Sequence, residues 1–355
     1  MKIYWCQRKL QTEWLNLIRF LSVFYVAWTH FEYTVFAEMH PASVNLEELF
    51  FLPPAIGSWF LYGYTGKYAV AILCVVSGFV AALTMKKKSE QSFLNYAIKR
   101  YMRIMIPVIG ISMLTWMLMI TMGENIEIAK VIYGIFVPGA TFFYGHFWCL
   151  SSFILGNFMI FGLDRLVKKF SVPTRIIVKV VLIGVGLIIS YKVYSWTTAW
   201  AIAIVFGDLL YELISNFEIK YSRWLYIPLF LLIWWLPRGE ESLKLYIRDM
   251  IASFLILFIL FQINVVTVDI NNFCKKRWIK DFLKYSYAFY VVHGFSIKYF
   301  ACDLTVWIQG WTNNWWITYV ISFVLKTIFD MGLAIVVYYL FENVVYRRCC
   351  AMLKV

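Results

Sequence analysis

The sequence predicts an all-α fold: a polytopic membrane bundle of about ten transmembrane helices with both termini cytoplasmic. Three observations carry this. Of 355 residues, 62% are hydrophobic and 15% charged, where soluble domains run to roughly half and a quarter. The apolar residues fall into blocks of about 20, the length that crosses ~30 Å of hydrocarbon. The basic residues sit between those blocks and alternate in density from one loop to the next.

Taken in order, the blocks place spans at 14–37, 62–84, 103–122, 146–163, 175–193, 196–214, 224–237, 246–264, 282–300 and 316–340. They are continuous, without the period-two alternation of barrel strands. The first is too long for a signal peptide and no small-residue cleavage site follows it. With the N-terminus set inside, cytoplasmic segments hold 24 Lys and Arg and external ones 5, the remaining four lying within spans. This is the bias that orients membrane proteins. No loop is long enough to fold alone, so residues 1–355 read as one membrane domain. The net charge of +13 is spent on topology, and no soluble basic patch is left for nucleic acid. The seven cysteines show no C-x-x-C spacing, and no metal site is expected. Any chemistry must happen in the bundle or at its edge.

The first span carries the strongest signal. Arg19 and His30 lie in an apolar stretch, where a charged residue costs at least ~2.5 kcal/mol. Eleven residues is close to a whole number of turns, so both share one helix face about 16 Å apart along the axis. Under this topology Arg19 lies toward the cytoplasm and His30 in the outer half. His293, past the middle of the ninth span, and His146, at the mouth of the fourth, fall at similar depth. Imidazole is the usual carrier of a proton near neutral pH. Set against that, a single histidine in a bundle is as often a packing residue.

Arg100 and Arg103 begin the third span one turn apart and can grip phosphates with bidentate hydrogen bonds, although contact with anionic lipid is the plainer use. Ser77–Gly78 in the second span is small enough to admit another helix or an extended ligand. Asp330 is expected to neutralise Lys326 four residues before it, and buried Asp208 to pair with an arginine. Trp and Tyr on the outer rim can stack against sugar rings, but most aromatics in such a chain form interfacial belts.

These pieces, in this order, resemble the acyltransferase type 3 family of integral membrane acyltransferases. Arg19 and His30 match its arginine, ten residues and histidine. Ile72–Phe79 matches an apolar run closing in Ser-Gly-Phe, and Arg100 and Arg103 its Arg-x-x-Arg. His146-Phe147-Trp148-Cys149-Leu150 is similar to its aromatic block. Ser286-Tyr287, Tyr290 and His293 match a late Ser-Tyr-x-x-Tyr-x-x-His, and Phe341-Glu342 a terminal aromatic-Glu pair. The chain departs from some members at Ser151-Ser152-Phe153, where they carry two glutamates, and at Gly294, where a proline is common.

The resemblance implies an O-acyltransferase that takes an acyl group, in the first instance acetyl, from cytoplasmic acyl-CoA. No permanently bound cofactor is implied. Arg100, Arg103 and Arg19 would hold the donor's phosphates, and its arm would pass Ser77 and Gly78. His30 would be base or acyl carrier. His293 or Tyr290 would face the oxyanion, and His146, Trp148 and Tyr290 would lie on the acceptor or oxyanion side. The implied acceptor is a hydroxyl of a cell-envelope or exported polysaccharide, free or lipid-linked, and the implied location a bacterial plasma membrane. The rival from another class is a secondary transporter or flippase of a lipid-linked sugar. Repeated halves and midplane helix breaks would favour it, and the sequence shows neither.

Overall fold

The computed structural model describes residues 2–5, 10–32, 35, 66–87, 92–124, 126–193, 195–220, 227–228 and 243–353. The fold is helical, as expected. Among the described residues, six helices are long and apolar enough to cross a membrane: Tyr68–Lys86, Phe93–Thr121, Gly145–Val167, Val172–Val193, Trp196–Asn216 and Trp315–Met352. The first expected span is helical as α1 (Trp14–Phe31), but Asn16, Arg19 and His30 dilute its hydropathy. The expected span 224–237 lies outside the described residues except for 227–228. One small ladder interrupts the helical pattern, β1 (Lys2–Trp5) pairing antiparallel with β2 (Phe217–Lys220).

The chain divides into two compact units, each assembled from three segments. The first holds Met1–Ser22, Lys67–Tyr96 and Ser151–Lys284. Its helices are the start of α1, α2 (Gly66–Lys87), the first residues of α3 (Phe93–Thr121), α5 (Leu150–Val167) without its first residue, α6 (Val172–Val193), α7 (Trp196–Asn216), α8 (Leu243–Gln262), α9 (Asn264–Lys275) and α10 (Arg277–Leu283). The helix numbered α4 (Ile128–Phe136) belongs to the second unit.

The core of the first unit is α7, buried without a break from Ala199 to Glu212. It packs along α6 and α8. Where it crosses α2, the backbones nearly touch: a Cβ on Gly78 would lie 1.8 Å from the Ile204 carbonyl oxygen, and one on Gly207 2.0 Å from that of Val75. Small residues let membrane helices approach this closely. Across α6 and α7 runs a ladder of buried charge. Arg175 donates to Glu212 Oε1 from Nε at 3.0 Å and Nη2 at 2.7 Å. Lys179 Nζ lies 3.2 Å from Glu212 and 2.9 Å from Asp208. The partner of Asp208 is therefore a lysine, not the expected arginine. Two cations meet two anions, so the group is neutral where water is scarce. The rest of α6 exposes Ile177, Val181, Val185 and Ile188, as a lipid-facing helix should.

The second unit holds Val23–Gly66, Ala97–Leu150 and Tyr285–Val355. Besides the end of α1, most of α3 and α4, it contains a 3₁₀ turn at Gly145–Cys149 and the helices α11 (Ser286–Ser296), α12 (Cys302–Thr312), α13 (Trp315–Val337) and α14 (Tyr346–Met352). A π turn, Ile297–Ala301, joins α11 to α12 without a break. The helix thus runs on to Thr312, well past 300, where the ninth span was expected to end, and stops where Asn313 takes a left-handed conformation (φ 45°). Asn314 then caps α13, its side chain accepting from the Trp316 and Ile317 amides at 3.0 and 3.2 Å. The apolar centre joins Phe31 and Val35 to Ile297 and Ala301, with Tyr319 and Phe323 packed on them.

Candidate active site

Three of the four histidines meet inside the second unit. His30 ends α1, His146 sits on the 3₁₀ turn and His293 on α11. Their ring centroids form a triangle with sides of 4.1 Å (His146–His293), 5.2 Å (His30–His293) and 6.1 Å (His30–His146). The depth argument placed His293 past the middle of its span. In the uninterrupted helix Ser286–Thr312 it lies in the first half, yet the three rings still converge.

One helix organises the site. On α11, Tyr287, Tyr290 and His293 are three residues apart and share a side, and each reaches a different segment. The Tyr287 hydroxyl donates to the Ile104 carbonyl of α3 at 2.6 Å. That carbonyl lies in the turn that Pro107 loosens by lacking an amide for the carbonyl four residues earlier. The Tyr290 hydroxyl donates to the His146 carbonyl, and Cys149 Sγ sits 2.9 Å from that hydroxyl. His293 reaches His30. The late tyrosine and histidine motif is thus a set of struts that ties α3, the 3₁₀ turn and α1 to one helix.

The hydrogen bonds assign the tautomers. His293 Nδ1 lies 2.6 Å from the Tyr290 carbonyl oxygen, which can only accept, so Nδ1 carries the proton. In a neutral ring its Nε2 then accepts, and the donor 3.0 Å away is His30 Nδ1. This leaves His30 Nε2 with a lone pair. Among the described residues nothing hydrogen-bonds it. His293 is fully buried, whereas His30 keeps part of its surface accessible. The relay therefore runs from a buried carbonyl through His293 to His30.

His146 is 6% exposed and lies on α11 where Gly294 leaves room. A Cβ there would come within 2.1 Å of the imidazole Cε1, so the glycine noted as a departure in sequence is the floor under this ring. Phe147, Tyr290 and Tyr144 surround it at 4.5, 5.4 and 5.6 Å. Trp148, on the same turn, is half-buried. On α13, Lys326 and Asp330 form the expected pair at 2.6 Å, fully buried. Lys326 lies within electrostatic range of all three imidazoles. The sequence showed the pair and its i, i+4 spacing but not that it stands beside the histidines.

The remaining candidates lie elsewhere. Arg100 and Arg103 are on α3 in the same unit, and both act electrostatically on Tyr346 of α14. Arg103 and Glu342 both act on Tyr287, and the Phe341 ring covers Gly110 of α3. Two further motifs, Arg100 with Arg103 and Phe341-Glu342, therefore gather at the α3 end of the α11 struts. Arg19 is on the part of α1 that belongs to the first unit, as are Ser77 and Gly78. The close approach Gly78 permits is one between helices: its open face is filled by α7, which leaves no room there for a donor's arm. Among the described residues no group of His, Cys, Asp and Glu could hold a metal ion.

Residues 12–334 match the family model Acyl_transf_3, described as an acyltransferase domain. No curated protein and no solved structure gave a significant match.

Proposed function

The chain belongs to the acyltransferase 3 family, and from that premise we propose an O-acyltransferase that moves an acyl group, acetyl in the first instance, from cytoplasmic acyl-CoA to a hydroxyl of a cell-envelope or exported polysaccharide. As an integral membrane protein of this family it would work in a bacterial plasma membrane. Membership favours acyl transfer over the transporter reading.

The observation that carries the chemistry is the lone pair of His30 Nε2, unpartnered among the described residues, at the end of the His293 relay. His30 Nε2 takes the proton of the acceptor hydroxyl as its oxygen attacks the thioester carbonyl. The tetrahedral intermediate collapses, the C–S bond breaks, and the thiolate recovers the proton from His30. The products are ester and CoA thiol. A positioned base of this kind contributes about 10²- to 10⁴-fold. His293, with both nitrogens already committed, orients His30 and does not touch substrate. The only proton of the Tyr290 hydroxyl goes to the His146 carbonyl, so we assign Tyr290 a structural part and do not count it as an oxyanion donor. Arg100 and Arg103 supply paired guanidinium groups for the donor's phosphates. The test is CoA release from radiolabelled acetyl-CoA by the protein in nanodiscs, with and without envelope glycans. Glycan-stimulated release with label in the glycan supports the proposal. A protein that neither binds nor turns over acyl-CoA refutes the donor.

A further inference from the structure

The arginine pair and the imidazoles lie at different levels of the second unit, and α3 measures the distance between them. Tyr101 stands between Arg100 and Arg103 on this helix. Thr115 lies about 21 Å further along its axis, at ~1.5 Å per residue. The Thr115 hydroxyl is bonded to that of Tyr144, whose ring is 5.6 Å from the ring of His146. The end of α3 that bears the arginines is weakly held by its own helix. Pro107 has no amide to offer the Arg103 carbonyl, so the direction of this end depends on bonds from outside.

Two such bonds join it to the elements that carry imidazoles. The Tyr101 hydroxyl donates to the Phe136 carbonyl at 2.9 Å. Phe136 ends α4, and the last carbonyls of a helix have no amide of their own helix to accept from. The chain then reverses at Pro138-Gly139. The Ala140 amide donates to the Val137 carbonyl at 3.1 Å and Gly139 has φ 80°, the geometry of a type II turn. From there it runs to Tyr144 and the 3₁₀ turn that bears His146. The stretch Phe136–Tyr144 is thus a strap fastened to α3 at both ends, by Tyr101 and by Thr115. The second bond is made by Tyr287, whose hydroxyl donates at 2.6 Å to the carbonyl of Ile104, the residue after Arg103. Tyr287 and His293 belong to the same helix, α11.

We propose that Tyr101 and Tyr287 are positioning residues that set the register between the arginines and the imidazoles. CoA carries its phosphates and its thioester at opposite ends of one arm. A donor anchored at Arg100 and Arg103 presents its carbonyl to His30 only if the arginines stand at a fixed distance from that ring. The proposal rests on the reading of the arginine pair as the donor's phosphate site. The test uses Tyr101→Phe and Tyr287→Phe, each lacking one hydroxyl, in full-length protein in nanodiscs, with rates normalised to folded protein. Three quantities are measured: transfer from acetyl-CoA with envelope glycan present, transfer from S-acetyl-N-acetylcysteamine, and binding of adenosine 3′,5′-bisphosphate. The bisphosphate has the phosphates without the arm, and the short thioester has the acyl group without the phosphates. In both variants kcat for acetyl-CoA should fall about ten- to a hundredfold, the effect of a small misplacement of reacting groups. The short thioester should react at the wild-type rate and the bisphosphate should bind as to wild type. Wild-type kcat with acetyl-CoA, loss of the short thioester as well, or weakened bisphosphate binding overturns the proposal. Should the short thioester fail even with wild type, the register is read from combined variants. With Arg100→Ala and Arg103→Ala present, removing either hydroxyl should cost no further rate, because the changes act on one coupled unit; a full additional loss overturns the proposal. Failure of the donor reading shows separately, as wild-type protein that binds neither acetyl-CoA nor the bisphosphate.

Discussion

Removing the His293 ring tests the relay most sharply, because its consequences can be worked out atom by atom. In His293→Ala, His30 Nδ1 loses the acceptor 3.0 Å away and the Tyr290 carbonyl loses the donor at 2.6 Å. His293 is fully buried, so water does not readily replace either bond. Each unmet group costs about 1–3 kcal/mol, and thermal stability should fall accordingly. The larger effect is on rate. Without its acceptor, His30 is free to rotate and to place its proton on Nε2, the nitrogen needed as a base. Holding a catalytic imidazole in the wrong tautomer costs as much as ~10⁴ in a well-studied triad, and losing a positioned base 10² or more. Here kcat should drop by about 10²- to 10⁴-fold, or ~3–5 kcal/mol of barrier, while KM for the donor barely moves. His293→Gln offers an amide oxygen to His30 and an N–H to the carbonyl, and should recover part of the rate. The assay is steady-state CoA release in nanodiscs, normalised to folded protein. If His293→Ala keeps kcat within a few-fold of wild type, His30 is not held by this bond and the tautomer argument collapses.

Other predictions follow from the same contacts. Arg100→Ala with Arg103→Ala should raise KM for acyl-CoA; if only the acceptor KM moves, the donor site is elsewhere. Gly207→Val puts atoms where the Val75 carbonyl lies 2.0 Å from a Cβ, so α2 and α7 must separate, and the yield of folded protein and its Tm should fall. Lys179→Met leaves Asp208 buried without the cation at 2.9 Å and should cost about 3–5 kcal/mol. Adding Asp208→Asn should return part of that loss, seen as a higher Tm in the double variant. Gly294→Ala drives a methyl into His146; we expect a folded protein with impaired transfer, checked by CoA release and near-ultraviolet dichroism.

Much of the site was legible because membrane helices make polar residues conspicuous. Arg19, His30, Lys326 and Asp330 stand out against apolar neighbours, and helical periodicity placed Arg100 with Arg103 and Lys326 with Asp330. The three histidines converge although the helix that carries His293 continues past 300, the expected end of the ninth span. A π turn lets α11 continue into α12, and nothing in the composition of Ile297–Ala301 announces one. Partner choice was less legible. Asp208 faces Lys179 because the packing of α6 on α7 brings residues 179 and 208 together, which no local pattern records. Gly78 was ambiguous for a related reason: a missing side chain signals close approach without saying by what. Gly294 read as a departure from a pattern, and only the position of the His146 ring shows why a larger residue has no room.

The central claim is that His30 Nε2 is the base that starts acyl transfer. The most direct measurement is single-turnover CoA release from acetyl-CoA, with the acceptor glycan present, by wild type and by His30→Ala, each shown to be folded in nanodiscs. Wild type should release CoA as label enters the glycan, and His30→Ala should lose that release while still binding acetyl-CoA. Release at the wild-type rate by His30→Ala would contradict it and move the chemistry to another group.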